Sequence, residues 1–248
     1  MDMLRYLGHS TVLLDIDGVR VLTDPVLEDR LGLLRRHTAT VAHLLDDIEV
    51  DVVLISHGHR DHLDLPSLHL LRGRPRIVVP RGLGKIVRGH DVVEVLEGEW
   101  LDFGALRFEA IHALHGGGRG LFGPTAAALG YRIVGTVRVY FAGDTDLFAG
   151  MAALAGNVDV ALLPVWGWGP RLGTGHLDPS RAAEAVARIG PRLAIPIHWG
   201  PFNPCGLARL WPGPLSHPPQ DFAREVERVA PATEVRILAA GASTDLSF

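Results

Sequence analysis

Cysteine is nearly missing from this chain: Cys205 is the only one among 248 residues. That excludes an internal disulfide and any site built from several thiolates, and it fits a reducing compartment. Long apolar runs are missing as well. The stretch 158–166 is interrupted by Asp159 and Pro164, far short of the roughly 20 residues a spanning helix needs, so no transmembrane segment is expected. Charge of one sign is never gathered. The 24 basic and 28 acidic residues give a formal −4 without a basic arm or acidic tail, which removes nucleic acid as the expected partner. The first residues, Met1-Asp2-Met3-Leu4-Arg5, lack the basic and apolar order of an export signal, and the expected location is the cytoplasm. Tyrosine and methionine are scarce at three each, whereas histidine is plentiful at 13. That surplus asks for a chemical reason, although His37, His43, His69, His90 and His217 read as ordinary surface residues.

With 47% apolar residues, the chain can bury a full core, and a single domain over 1–248 is expected. Short runs rich in Val, Ile and Leu read as strands at 10–14, 19–22, 52–55, 76–79, 91–95, 106–111, 131–134, 137–141, 158–163, 193–197 and 234–238. The clearest helix spans 178–190, with Asp178 as N-cap, Pro179 in the first turn, an alanine-rich interior and Gly190 at its end. A second helix is expected at 219–230, and shorter ones at 66–72, 83–89 and 147–155. The early strands are joined by tight turns and the later ones alternate with helices, so the class is α/β with partly antiparallel sheets. Two segments, 115–124 and 199–219, resist assignment and have the length of functional loops.

The chemistry is concentrated in Ile55-Ser56-His57-Gly58-His59-Arg60-Asp61-His62, directly after an apolar strand. Residues two apart in an extended segment face the same way, so His57 and His59 can offer two imidazoles to one ion. Asp61 and His62, where the chain turns, can serve a neighbouring ion. Imidazole with carboxylate and no thiolate suits zinc first, with manganese or iron as alternatives. Other apolar runs end in the same vocabulary: Thr23-Asp24, Gly143-Asp144 and Ile197-His198. Strand carboxyl ends gather around one crevice in layered α/β folds, which lets such ligands converge.

On these residues the chain resembles the metallo-β-lactamase superfamily, over nearly all of its length. The resemblance implies a four-layered αββα sandwich with a dinuclear metal site at one edge. It assigns His57, His59, Asp61 and His62 to the HxHxDH motif, Asp144 to the bridging aspartate, His198 to the last histidine and Asp24 to the aspartate that supports the site from behind. One ion would take His57, His59 and a third histidine, the other Asp61, His62 and His198. Within the superfamily, Tyr6-Leu7-Gly8-His9-Ser10-Thr11, Leu22-Thr23-Asp24-Pro25, Gly118-Arg119-Gly120 and Ile197-His198-Trp199-Gly200 are similar to the branch of N-acyl-phosphatidylethanolamine phospholipase D and ascorbate-6-phosphate lactonase. Both His112 and His115 are candidates for the third histidine. The branch points to His115, leaving His112 to support the ligands. It also implies that His9 and His176 stand near the metals with catalytic roles, His176 against substrate or as proton donor to a leaving group.

Arg119 could hold an anionic group through its forked donors, and Trp166, Trp168, Trp199 and Trp211 could wall a pocket. Two divalent ions that share a water lower its pKa toward about 7, which makes hydrolysis the expectation, and the branch resemblance implies a small, anionic phosphodiester-type substrate first. A lactonase or other ester or amide hydrolase using the same metals is the alternative, and a non-hydrolytic or redox di-iron protein is the alternative of another class. Neither a GxSxG elbow nor a phosphate-cradling P-loop competes with the metal reading. Oligomerisation stays open.

Overall fold

The structure is a computed structural model and describes residues 2–38, 40–119, 123–167, 169, 171–205 and 217–248. A meander of β1 (Met3–Gly8), β2 (Thr11–Ile16) and β3 (Val19–Thr23) opens the chain, followed by a small hairpin of β4 (Arg30–Leu31) and β5 (Leu34–Arg36). Next come β6 (Val52–Leu54), helix α1 (Leu65–His69), β7 (Arg76–Pro80) and β8 (Asp91–Val95). The second half runs through β9 (Trp100–Phe103), β10 (Leu106–Gly116), β11 (Ala127–Val134), β12 (Arg138–Phe141) and β13 (Val160–Pro164). It ends with α2 (Pro179–Ile189), β14 (Leu193–Ile197), β15 (Phe202–Pro204), α3 (His217–Val229), β16 (Glu234–Val235) and β17 (Ser243–Asp245).

Two seven-stranded sheets result, in the orders β17-β1-β2-β3-β6-β7-β8 and β16-β14-β13-β12-β11-β10-β9. Each is antiparallel at one side and parallel at the other: β3, β6, β7 and β8 run parallel, as do β12, β13, β14 and β16. The parallel strands are apolar on both faces, because one face meets the other sheet and the other face meets a helix. Val52 and Leu54 of β6 join the core between the sheets while Val53 packs outward with Leu68 of α1. Val160 and Leu162 of β13 likewise face inward while Ala161 and Leu163 pack with Val186 of α2 and Phe222 of α3. The layer order is therefore helix, sheet, sheet, helix: an αββα sandwich.

The longer helices form where the sequence pattern places them. The Asp178 carboxylate caps α2 by accepting from Arg181 N at 2.8 Å, and Gly190 closes it in the left-handed conformation. The helix expected at 83–89 is instead a single 3-10 turn, Gly84–Ile86, and that at 147–155 is the 3-10 turn Ala149–Leu154. Gly84, Gly89 and Gly150 weaken helical continuity there, and helices this short gain little from propagation. Strands β9, β15 and β17 carry no clear apolar alternation and are held by sheet edges, which local pattern does not encode. β10 runs on past the expected 111 to Gly116, with a register shift between His112 and Gly116. No helix among the described residues is long and apolar enough to cross a membrane.

What matters for chemistry is where the strands end. β3 and β6 are parallel neighbours, and so are β12, β13 and β14, so Asp24, Ser56, Asp144 and His198 emerge on one edge of the sandwich. The two sheets are tied there by Leu129 N donating to Ser56 O at 2.9 Å. Two substitutions separate core from cap. Leu162→Ala, wholly buried between the sheets, is expected to cost about 3 kcal/mol, and Asp178→Ala about 1 kcal/mol; urea unfolding of each variant checks both the size and the order.

Candidate metal centre

The loop after β6 is shaped by two close approaches. The carbonyl of His59 accepts from His62 N at 3.1 Å and Leu63 N at 2.8 Å, forming one tight turn that turns His59, Asp61 and His62 toward one crevice. At Gly58 a Cβ would come within 2.8 Å of Gly117 O, so no larger residue fits without moving the glycine loop that follows β10. Gly143, at φ +60° with a Cβ position only 2.5 Å from Ser56 Cβ, lets the tip of β12 bring Asp144 over the same place. His9, Asp24 and His198 all hold positive φ values, 57°, 33° and 58°. Such backbone is uncommon outside glycine and concentrates where surrounding structure enforces it. Here His198 N donates to His9 O at 2.8 Å, locking two of the three together.

The side chains converge as two groups that meet at Asp144. In the first, His57 Nε2 and His115 Nε2 lie 2.9 Å and 3.2 Å from His59 Nδ1. In the second, His62 Nε2 and His198 Nε2 are 3.1 Å apart, with Asp61 Oδ2 at 3.7 Å and 3.8 Å from them. Asp144 stands between: its Oδ2 is 3.2 Å from His62 Nε2 and 4.0 Å from His57 Nε2, and its Oδ1 is 3.2 Å from His198 Nε2. His176 Nε2 approaches Asp144 Oδ2 at 3.3 Å from the more open side.

The outer nitrogens fix what the inner ones can do. His115 Nδ1 donates to Gly175 O at 2.9 Å, His198 Nδ1 to Trp166 O at 2.7 Å and His62 Nδ1 to Asp24 Oδ2 at 2.6 Å. The Ser56 hydroxyl donates to Asp24 Oδ2 at 2.5 Å, so its oxygen accepts from His57 Nδ1 at 2.9 Å. With the Nδ1 protons directed outward, the Nε2 lone pairs of His57, His62, His115 and His198 point into one buried space. Lone pairs facing each other at about 3 Å repel unless a proton or a cation lies between them. Asp144 Oδ1 is buried without a hydrogen-bond donor. These nitrogen and oxygen donors fit a divalent transition ion such as zinc, and the described residues contain several such donor groups, including His57-His59-His115 and His9-Asp61-His62-His198.

The electrostatics run the same way. Burial and then the neighbouring imidazoles hold His57 well below the usual histidine range, and burial holds His115 down to about 4. Burial also opposes charge on His62, but the carboxylates of Asp144, Asp61 and Asp24 outweigh it and keep its pKa well above the ordinary value. Burial alone would raise Asp61 and Asp144, yet the imidazoles around them hold both carboxyls well below their usual range. Three carboxylates around one ring demand positive charge at that point.

Of the other residues expected at the site, Asp24 lies directly behind it and accepts from Ser56 N at 2.7 Å as well as from His62. His9 is buried, with Nε2 donating to Asp61 Oδ2 at 3.1 Å and a pKa lowered to about 3 by burial first. It pairs with the Asp61 carboxylate beside His62 and His198. His112 is placed outside the cluster: its Nδ1 pairs with Glu97 at 2.9 Å and its ring meets Phe148, while His115, three residues on along β10, reaches His59. Trp199 stacks on Tyr6 and donates to Pro196 O, wedged into the core and not toward substrate space. Arg119 Nη1 donates to two backbone carbonyls, Gly58 O and Leu63 O, instead of projecting into the crevice. Trp168 and Trp211 lie outside the described residues. Sequence reasoning overlooked Ser56, whose hydroxyl links Asp24 to His57; a serine immediately before the first motif histidine was the available signal.

A model described as the beta-lactamase superfamily domain matches residues 19–199. The chain is 33% identical over 252 residues to a metal-dependent hydrolase of Methanopyrus kandleri, covering 97% of this chain and 98% of that protein. It is 30% identical over 234 residues to N-acyl-phosphatidylethanolamine-hydrolyzing phospholipase D 1 of Caenorhabditis elegans, covering 83% of this chain and 65% of that protein. A Mycobacterium tuberculosis relative at 35% identity is also longer, this chain spanning 64% of it. In fold, the chain resembles Igni18, a metallo hydrolase from Ignicoccus hospitalis, with a TM-score of 0.77 over 98% of this chain and 97% of the other at 24% identity.

Asp24→Asn removes the carboxylate that orients His62 and replaces it with an amide that can present a donor. Competition with a chromophoric chelator is expected to register a loss of divalent-metal affinity of about 10- to 100-fold.

Proposed function

The chain belongs to the beta-lactamase superfamily, and from that premise we propose that it is a metal-dependent hydrolase that seats two divalent cations and cleaves an anionic phosphodiester. The observation that carries this reading is the pair of donor groups meeting at Asp144, with the outer nitrogens of His57, His62, His115 and His198 already bonded outward. His57, His59 and His115 would hold one cation, Asp61, His62 and His198 the other, and Asp144 would reach both. Imidazole and carboxylate donors make zinc the first choice, with manganese or iron accepted by the same set. Cations bound there would lower the pKa of water toward neutrality and polarise a phosphoryl or carbonyl oxygen.

The residues of the chain supply the rest. Asp61 and Asp144 bring two negative charges to a pair of divalent ions, so the filled centre stays electropositive and favours an anionic substrate. His9 holds Asp61 in place, and Asp24 with Ser56 holds His62 and His57. His176 is partly exposed at the mouth, with Nδ1 held by Gly173 O and Thr174 O, both at 3.2 Å. Its Nε2 is placed to hydrogen-bond oxygen charge that develops on the substrate. The phosphodiester is favoured because the C. elegans relative is named for hydrolysing a phospholipid of that class.

The test is turnover of bis(p-nitrophenyl) phosphate against a panel of lactones by metal-loaded protein. Phosphodiester cleavage that a chelator abolishes and added Zn2+ or Mn2+ restores is the expected result. Turnover of lactones alone overturns the substrate class, and turnover indifferent to chelation overturns the metal centre. In the same assay, His176→Ala is expected to lower kcat by about a hundredfold, the cost typical of removing one donor to developing charge, while bound metal per chain stays unchanged.

A further inference from the structure

Four of the five imidazoles proposed as ligands, those of His57, His62, His115 and His198, are braced twice, once by the backbone that carries them and once by a hydrogen bond to the outer nitrogen. His59 is the exception. Its Nδ1 faces His57 and His115, and its Nε2 has no hydrogen-bond partner among the described residues. The ring is also less deeply buried than those of His57, His62 and His198. Its placement depends on the backbone of residues 58–63 alone.

That backbone is gripped from outside. Arg119 Nη1 donates to Gly58 O at 3.3 Å and to Leu63 O at 2.7 Å, the carbonyls that bracket His59, Asp61 and His62. Both residues are buried, so their carbonyls would lose a hydrogen bond in the interior without the guanidinium. The arginine is fixed in turn. Its N–H donates to Pro124 O at 3.1 Å, and Gly58 N donates to Gly117 O at 3.0 Å, which ties the two loops together two residues before Arg119. The glycines make this contact possible: a Cβ at Gly117 would lie 2.4 Å from Ala126 O, and one at Gly58 would lie 2.8 Å from Gly117 O. Gly117 and Arg119, just after β10, thus brace the loop after β6.

We infer that Arg119 is a positioning residue, a clamp that sets the spacing between Gly58 and Leu63 and thereby places His59 for its cation, rather than a contact for the substrate. The inference deepens the two-cation reading and rests on it. Loss of the clamp acts on the group His57-His59-His115, where one ligand has no other brace, and spares the group Asp61-His62-His198, where His9, Asp24 and Trp166 O hold each ligand independently.

The experiment is titration of the metal-free full chain with Co2+ and with Zn2+ against a chromophoric chelator, for wild type, Arg119→Met and Arg119→Lys. In Arg119→Met, one equivalent is expected to weaken by about 10- to 100-fold, the range for partners that orient a ligand, while the other binds as in wild type. Arg119→Lys is expected to fall between, and added ethylguanidinium to recover part of the loss in Arg119→Met. If Arg119→Met does not fold, Arg119→Lys carries the same comparison, since its ammonium lacks the planar fork. Wild-type affinity for both equivalents, with only KM for bis(p-nitrophenyl) phosphate raised, overturns the clamp and makes Arg119 a substrate contact. A wild-type protein that binds a single equivalent contradicts the two-cation reading, and the clamp is then decided by that equivalent's affinity across the same variants.

Discussion

Everything at the functional edge follows from one electrostatic constraint: imidazole lone pairs and carboxylates are packed within about 3 to 4 Å of one another in a largely buried crevice. Such a cluster is unfavourable by itself, because neither the lone pairs nor the carboxylates can solvate one another. A proton on His62 relieves part of it, which is why the three surrounding carboxylates raise that pKa against the effect of burial. Divalent cations relieve it more completely. The rest of the fold can be read as the scaffold that forces these groups together despite their mutual repulsion.

The scaffold does this by strand direction. A parallel strand delivers its carboxyl end to the same edge as its neighbour, so β3 and β6 in one sheet and β12, β13 and β14 in the other aim their following loops at one crevice. The apolar core between the sheets fixes the distance across which these loops meet. Local strain is then tolerated at the edge itself. His9, Asp24 and His198 adopt positive φ because hydrogen bonds to His198 N, Ser56 and His62 hold them there.

The contrast between His112 and His115 illustrates how much depends on which face of a strand a residue occupies. The two histidines are three apart on β10, and in a regular strand they would face opposite ways. Their partners differ accordingly: His115 meets Gly175 O and His59, and His112 meets Glu97 and Phe148. The same applies to Trp199, which follows a ligand histidine in sequence yet turns into the core against Tyr6.

Sequence alone determined the chemistry of the donors and the α/β class with partly antiparallel sheets; the four-layer order was implied by the family resemblance. The density of histidine after β6, the near absence of cysteine and the short apolar runs each follow from residue identity and spacing, which are local and can be read directly. Motif spacing placed His57, His59, Asp61 and His62 together because they lie within a single turn of chain. Tertiary structure decided what depends on contacts between segments far apart in the chain: which of two β10 histidines faces inward, that Ser56 relays Asp24 to His57, and that Arg119 grips backbone carbonyls. A side chain's direction is set by register and by the partner it meets, and neither is written in the few residues around it.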